Sequence, residues 1–344
     1  MLLLLTSLIA GSGRPAVAPA TRWVLAYAGS HKGGLGTNYS VDDFVRLIAA
    51  VDSTGRPVAW LSTGMVFLQL YAPSGRTFTT WIGGTPATGA DWQEYADSLM
   101  KPSGALARLD SAVRLVETAA GPLSGAFPVA LMVPYPEPRV DSLSLGGTVF
   151  DFHASAGRVA AAAAYVRAGK AEFASARYRR LRLDGFYWLS ESVLPADTAT
   201  VTGVAKVIHS ERLRFLWIPY YHGAGMESWR QLGFDEAWLQ PNFFFNLQVP
   251  PPRLDSAATR AIGLGLGIEV EFNSKIYSVP AYFDRLSPYL DMLEAHPALR
   301  SHSIALYEGQ GALINLSRSS DSRDRALYAR LIRALSPGDS TTLQ

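Results

Sequence analysis

The chain contains no cysteine among its 344 residues. This excludes thiolate catalysis, disulfide bridges and cysteine-ligated iron–sulfur clusters. Charged residues make up only 17% of the chain, and 31 basic residues nearly balance 29 acidic ones, for a formal net charge of +2. Because no basic run is long enough to form a nucleic-acid surface, we expect no nucleic-acid partner.

Cofactor motifs and long apolar runs are also missing. The sequence has no P-loop, no G-x-S-x-G and no H-E-x-x-H motif, and its six histidines are scattered. No lysine ends a predicted strand, where it could form a Schiff base. We therefore expect no metal and no organic cofactor. Beyond residue 20, no segment reaches the roughly 18 uninterrupted apolar residues of a membrane helix.

The first 20 residues are typical of a secretory signal peptide. Residues 1–10 are apolar, small residues follow up to Ala20, and no basic residue precedes Arg14. The segment predicts export to a secreted or periplasmic location. We expect a mature domain over residues 21–335 and a flexible tail over 336–344.

Eight short apolar segments, rich in aromatic or β-branched residues, alternate with helical patterns. This order predicts one α/β domain, a (β/α)8 TIM barrel, with enlarged loops after strands one and two at residues 30–60 and 73–126. The predicted strands cover residues 23–29, 65–72, 128–138, 185–193, 214–221, 236–245, 265–273 and 302–311. The predicted helices cover 158–180, 195–211, 280–295 and 322–335, with a short turn at 227–232.

A doubly wound open sheet is the competing architecture. Such a sheet calls for a phosphate-binding glycine turn after its first strand. The glycines at positions 33, 34 and 36 lack the G-x-G-x-x-G spacing and predict an ordinary loop.

The seventh predicted strand carries two acids on one face. Because residues of a strand alternate between two sides, Glu269, Glu271 and Asn273 share one face, while Ile268, Val270 and Phe272 share the other. An unpaired buried carboxylate costs several kcal/mol or more, so two of them in a barrel interior indicate chemistry.

Carboxylates, amides and aromatic rings dominate the carboxyl ends of the predicted strands, where TIM barrels build their active sites. Aromatic faces can stack on sugar rings, and acids and amides can bind hydroxyl groups. The predicted substrate-binding residues are Tyr27, Tyr135, Glu137, Tyr187, Tyr220, Tyr221, His222, Gln240, Asn242, Asn273 and Tyr307.

Glu191 ends the fourth strand and Glu271 ends the seventh. This pairing resembles the large clan of retaining glycoside hydrolases with an acid/base Glu on strand four and a nucleophilic Glu on strand seven. The resemblance implies that Glu191 is the acid/base and Glu271 the nucleophile, with Glu269 one layer deeper as a tuning residue. Ser190 departs from the clan, which commonly has Asn before the acid/base.

Four longer runs, at 185–191, 217–221, 233–244 and 267–272, resemble a bacterial family known only as a domain of unknown function and suspected of glycosidase-like barrels. The resemblance implies a glycoside hydrolase acting on a polysaccharide or oligosaccharide. A secreted carbohydrate-binding barrel without turnover is the alternative.

Several conspicuous residues have structural alternatives. Asp184, Asp235 and Glu236 stand at the opposite ends of their strands and predict caps or salt bridges. Trp81 and Trp92 either stack on sugar or hold the long second loop in place.

Overall fold

The structure is a computed structural model that describes residues 21–28, 38–79 and 81–335. The predicted signal peptide, the C-terminal tail and the glycine-containing loop at 33–36 lie outside the described residues. Eight parallel strands close into a barrel in sequence order, which confirms the predicted TIM barrel. The strands are β1 Arg22–Tyr27, β2 Gly64–Leu68, β3 Phe127–Val133, β4 Leu181–Trp188, β5 Arg214–Trp217, β6 Glu236–Leu239, β7 Gly267–Asn273 and β8 Ile304–Gly309.

Helices surround this barrel. The crossover between β5 and β6 contains a 3₁₀ turn, Met226–Ser228, in place of an α-helix, and the sequence predicts a short turn there. Further 3₁₀ turns are Pro195–Asp197 and Pro297–Ser301. The described α-helices are α1 Val41–Ile48, α2 Gly89–Met100, α3 Ala105–Ala120, α4 Ser155–Ala176, α5 Thr198–Ser210, α6 Pro252–Leu264, α7 Lys275–Ser278, α8 Pro280–Phe283, α9 Leu286–Ala295, α10 Ala312–Arg318 and α11 Ser322–Leu335.

The two enlarged loops have structure of their own. The first holds α1 and a hairpin formed by Ala49–Val51 and Pro57–Trp60, and the second holds α2 and α3. A capping box starts α2, because the Thr88 hydroxyl and the Asp91 carboxylate each accept a hydrogen bond from the other residue's backbone N–H. These insertions stand beside the carboxyl ends of β1 and β2.

A hairpin after β3 does not appear among the sequence-based expectations. Ser142–Leu145 pairs antiparallel with Thr148–Asp151 across Gly146 and Gly147. Both glycines have positive φ, 58° and 80°, which a two-residue type I′ turn requires. The Gly-Gly pair between two alternating segments is a signal that sequence inspection could have used.

A tryptophan pair fills the amino end of the barrel. The rings of Trp23 and Trp238 meet edge to face at 5.9 Å. Glycine is required beside them, since a Cβ atom on Gly267 would lie 2.5 Å from Trp238 Cδ1 and 2.1 Å from the Ser303 carbonyl oxygen. This end of the barrel is therefore closed by packing.

Ion pairs also stabilise the amino ends of β4, β5 and β6. Asp184 pairs with Arg182 and Arg214, Glu236 pairs with Arg214, and Asp235 lies 2.9 Å from His209. The expectation of caps or salt bridges is confirmed: Asp184 and Glu236 form ion pairs with arginine, and Asp235 Oδ2 accepts a hydrogen bond from the backbone N–H of Phe215 at 2.7 Å.

Candidate active site

A cavity of about 310 Å³ opens at the carboxyl ends of the barrel strands. We call it the strand-end cavity. TIM-barrel enzymes build their active sites on this face. The cavity brings together two of the three predicted catalytic acids and five of the predicted binding residues. Its lining consists of Leu25, Tyr27, Leu68, Leu70, Trp81, Tyr187, Leu189, Glu191, Ile218, Gln240, Asn242, Phe245, Glu269 and Tyr307.

Glu191 follows the end of β4 on the cavity wall and is partly exposed. Two hydrogen bonds fix the segment that carries it. Trp217 Nε1 donates to the Ser190 carbonyl oxygen at 2.7 Å, and the backbone N–H of Tyr220 donates to the Glu191 carbonyl oxygen at 3.1 Å. Burial of the carboxyl group and the charge of Glu271 raise the pKa of Glu191 to about 8. Glu191 therefore keeps its proton at neutral pH and can act as an acid.

The strand-seven acids are both buried, with exposed fractions of 1% for Glu269 and 0% for Glu271. Glu269 lines the cavity. Glu271 turns toward α9, where its Oε2 accepts a hydrogen bond from the Tyr289 hydroxyl at 2.7 Å. Oε2 of Glu269 and Oε1 of Glu271 have no hydrogen-bond partner among the described residues. Glu269 Oε2 can therefore accept a donor from a ligand in the cavity, whereas Glu271 is fully buried and lies outside the described lining.

The two strand-seven carboxyl groups differ in their donors. Burial raises the pKa of Glu271, but the Tyr289 hydroxyl, the backbone N–H groups of Asn242 and Phe243 and the Gln240 amide oppose that rise. Burial and the charges of Glu271 and Glu191 raise the pKa of Glu269 well above its ordinary value, and only the Gln240 amide opposes them. Because closely placed carboxyl groups cannot all ionise, the negative charge resides mainly on Glu271.

Gln240 connects the three acids, since its amide favours the charged form of each. Asn242 Nδ2 donates to Gln240 Oε1 at 3.0 Å, which leaves the Gln240 NH₂ group for the carboxyl groups. Asn242 Oδ1 in turn accepts from the backbone N–H of Tyr221 at 2.8 Å. Asn242 has a φ of 52°, in the left-handed region that Asn tolerates better than most residues. It therefore both lines the cavity and orients Gln240.

Three tyrosines contribute neutral hydroxyl groups. Burial and the nearby carboxylates raise the pKa values of Tyr27, Tyr187 and Tyr307 well above the ordinary value. The lining contains no lysine, arginine or histidine among the described residues. A cavity with acids, neutral donors and no cation suits an uncharged polar ligand.

Two exposed aromatic rings stand at the cavity mouth. Trp81 is 52% exposed and Phe245 is 39% exposed, and the Phe245 ring meets that of Tyr307 edge to face at 5.6 Å. Trp92, by contrast, is buried and packs edge to face on Tyr165 at 5.7 Å. Each tryptophan therefore matches a different alternative: Trp92 holds the loop in place, and Trp81 faces the cavity.

Six predicted binding residues lie outside the described cavity lining and have other contacts. The Tyr135 hydroxyl donates to Asp197 Oδ1 at 2.9 Å, and Glu137 accepts from Arg139 Nε, also at 2.9 Å. Asn273 Oδ1 accepts from the backbone N–H of Lys275 at 3.0 Å.

The other three form an aromatic group after β5. Arg253 lies over the Tyr221 ring at 4.0 Å, and the His222 ring meets those of Tyr221 at 4.9 Å and Tyr220 at 6.5 Å. Phe245 contributes to the cavity without having been predicted. Its position in the loop that carries Gln240 and Asn242 was the only available signal.

In the part of the chain that the structure describes, no helix is long and apolar enough to cross a membrane. Within the same residues, no group of three or more His, Cys, Asp or Glu side chains is arranged to hold a metal ion.

Comparison with known proteins identifies a family and a fold. Residues 22–333 match the model of the family described as a domain of unknown function, DUF4855. No curated protein matches the sequence. Similar solved structures include a mutant tryptophan synthase α-subunit from Pyrococcus furiosus, with 11% identity, a TM-score of 0.42 and coverage of 92% of this chain and 97% of that one.

Two mannanases are also similar in structure. A GH113 β-1,4-mannanase has 11% identity and a TM-score of 0.42, covering 91% of this chain and 98% of its own. The catalytic domain of the GH26 endo-β-1,4-mannanase from Bacillus sp. JAMB-750 has 10% identity and a TM-score of 0.40, covering 92% and 85%. At these identities the comparisons concern the fold alone.

Proposed function

Because this chain belongs to the DUF4855 family of domains of unknown function, its activity has to be inferred from its site, and we propose that it is a retaining glycoside hydrolase. The observation that carries the proposal is that Glu191, just past β4, and Glu269 of β7 line one cavity, while Glu271 of β7 is buried close enough for its charge to raise the pKa of both. Acid and nucleophile carboxyl groups on opposite sides of a bound sugar are the groups that retaining hydrolysis needs.

The charge distribution supports the role of each acid. Glu191, protonated near neutrality, would donate its proton to the glycosidic oxygen as the bond to the leaving sugar breaks. Glu271 is the acid whose charged form accepts the most hydrogen bonds. It would attack the anomeric carbon through its unpartnered Oε1 and form a glycosyl ester. Glu191, now ionised, would then take a proton from the water that hydrolyses this ester.

Glu269 would remain neutral through this cycle. Its carboxyl group lines the cavity, and the charges of Glu271 and Glu191 raise its pKa. A neutral carboxyl group can donate a hydrogen bond to a sugar hydroxyl as well as accept one. We propose this contact as the replacement for the amide that the clan commonly carries at position 190.

The substrate would be neutral at the cleaved bond. A sugar carrying a carboxylate or phosphate would meet two acids in the lining of the strand-end cavity, with Glu271 buried beside them, and no described cation. The cavity volume of about 310 Å³ is at the lower end of the range for small-ligand sites, and Trp81 and Phe245 extend the binding surface outward.

The first test is to incubate the purified domain with a panel of neutral glucans, mannans, xylans and galactans and to measure new reducing ends. We expect release from at least one glycan and none from the Glu191→Gln protein. Binding to a glycan without release would contradict hydrolysis and favour the non-catalytic carbohydrate-binding alternative.

The second test assigns the nucleophile. With an aryl glycoside of the sugar found in the panel, Glu271→Gly should lose turnover and regain it with azide, giving a glycosyl azide of inverted configuration. Glu191→Ala with azide should give the retained configuration instead, because azide then replaces water in the second step. Rescue at Glu269→Gly and none at Glu271→Gly would reverse the assignment of the two strand-seven acids.

We also propose that the domain acts outside the cytoplasm, because the first 20 residues have the pattern of a secretory signal and a polysaccharide does not enter the cell intact. Mass spectrometry of exported protein should find an N-terminus near Thr21. Protein retained in the cytoplasm with residues 1–20 attached would contradict export.

A further inference from the structure

A second cavity, of about 590 Å³, lies on the same face of the barrel. We call it the lateral cavity. The chain that follows β2 separates it from the strand-end cavity: Leu68 and Leu70 line the strand-end cavity, whereas Gln69 and Tyr71 line the lateral one. A similar change occurs after β1, where Tyr27 faces the first cavity and the next residue faces the second. The two cavities are therefore neighbours that share a wall one chain thick.

The outer wall comes from the insertion after β2. Its residues are supplied by α2, by the turn at 101–104 and by α3. The volume of the lateral cavity lies within the usual range for small-molecule sites and is nearly twice that of the strand-end cavity. The insertion thus creates room for a second ligand group beside the first.

The lateral cavity is lined by cationic side chains, whereas the charged side chains that line the strand-end cavity are acids. Among the residues that the structure describes, its walls carry Lys101 and Arg108 and a single acid, Glu94. Among the described residues, neither cation forms an ion pair with a carboxylate. This cavity therefore has an excess of positive charge.

Arg108 is already held in place. Its Nη2 donates to Asn38 Oδ1 at 2.8 Å, while its buried Nε has no hydrogen-bond partner in residues 21–28, 38–79 and 81–335. A guanidinium group offers donors in a planar arrangement that matches a carboxylate. Because part of the side chain is already ordered, less rotamer freedom is lost when an anion binds.

The same cavity has an aromatic side. Phe78 and Tyr95 line it together, with ring centroids 5.7 Å apart, and Tyr71 stands nearby at the shared wall. The buried Tyr95 hydroxyl has no partner among the described residues. Phe78 and Tyr95 are themselves almost fully buried, so the half-buried Tyr71 ring is the aromatic surface that a sugar ring in this cavity can contact.

We propose that the lateral cavity binds a uronic acid unit, a sugar bearing a carboxylate, of the same glycan whose neutral unit occupies the strand-end cavity. This inference rests on the proposed glycoside hydrolase function and adds the substrate class. The acids of the strand-end cavity repel a uronate, and Arg108 and Lys101 attract it. The two cavities would thus select a glycan in which a neutral and an acidic unit lie close together.

The test measures ligand binding to the full domain carrying Glu191→Gln, so that no turnover is required. The probes are sodium glucuronate, glucose as the neutral sugar and sodium acetate as the bare carboxylate, titrated by calorimetry or ligand-observed NMR. We expect glucuronate to bind at least about tenfold more tightly than either of the others, and to bind more weakly as salt rises.

Arg108→Gln should weaken glucuronate binding about 10- to 100-fold, as expected for loss of a charge-assisted hydrogen-bonding group. Lys206→Gln, which removes an exposed lysine from α5, is the matched control and should leave binding unchanged. Arg108→Lys keeps the charge without the planar group and should lie between wild type and Arg108→Gln. Thermal melts of all variants verify folding.

Equal binding of glucuronate and glucose, or equal binding of acetate and glucuronate, would overturn the proposal. An Arg108→Gln protein that binds like Lys206→Gln would also overturn it. Failure of the two proposals can be told apart: loss of this binding with reducing ends still released refutes the lateral site only, whereas glucuronate binding with no hydrolysis of any glycan refutes the catalytic function.

Discussion

The raised pKa of Glu191 predicts that its removal stabilises the protein. The folded protein holds this carboxyl group in its neutral form up to a pKa of about 8, whereas the unfolded chain ionises it near the ordinary value of 4.5. Its contribution to stability is therefore fully present below about pH 4.5 and is lost as the pH rises to about 8. Replacing Glu191 by Gln, which cannot ionise, removes this loss.

The size of the effect follows from the two pKa values. The rise from 4.5 to about 8 corresponds to roughly 5 kcal/mol over the whole range, at about 1.4 kcal/mol per pH unit. At pH 7 roughly 3 kcal/mol of it has been lost. For a chain of this size, that difference corresponds to a melting temperature about 4–5 °C higher for Glu191→Gln than for wild type.

Differential scanning calorimetry at pH 4.5, 7 and 8 measures this difference. We expect the melting temperatures of wild type and Glu191→Gln to be close at pH 4.5 and to diverge as the pH rises. Glu227→Gln is a suitable control, because Glu227 is mostly exposed, and hydrogen bonds from its own backbone N–H and from Arg260 lower its pKa. A difference that does not change with pH, or a wild type that is the more stable protein at pH 8, would refute the reasoning.

Three further substitutions test other side chains at and near the site. Tyr289→Phe removes a hydrogen bond to ionised Glu271 and should raise the pKa of that group, moving the acidic limb of kcat/KM up by about 1–2 pH units. An unmoved limb would contradict a role for charged Glu271. Trp81→Ala should raise KM about tenfold with little change in melting temperature, whereas Trp92→Ala should cost about 3–5 kcal/mol of stability, measured by urea unfolding. Equal effects of the two on stability would contradict the assignment of Trp81 to substrate binding.

The barrel could be predicted from the sequence because its signals are local. Alternation in β7 and the short aromatic segments identified the strands, and the position of Glu191 just past β4 placed it on the correct face. Glu236 was recognisable as an ion-pair partner from its place at a strand start, whereas Asp184, expected to precede the fourth strand, is the fourth residue of β4. Each of these inferences depends only on where a residue lies relative to its own strand.

The details of the site depend on packing between distant segments. Tyr289 stands 18 residues after Glu271 on a helix, with no spacing pattern that links the two. Tyr221 follows a strand, as several true cavity residues do, but Arg253 covers its ring. The connecting role of Gln240 depends on Asn242 turning the amide, which requires the left-handed backbone at that residue. Such orientations are set by tertiary contacts rather than by residue type.

The placement of the acids has a consequence for evolution and engineering. At the amino ends of β4 to β6, Asp184, Asp235 and Glu236 each lie beside a basic side chain. At the carboxyl ends, the lateral cavity is walled by α2 and α3, which belong to an insertion that contributes no strand to the barrel. Under the proposed function, grafting a different insertion between β2 and β3 should change the ligand that the lateral cavity accepts while Glu191, Glu269 and Glu271 keep their places.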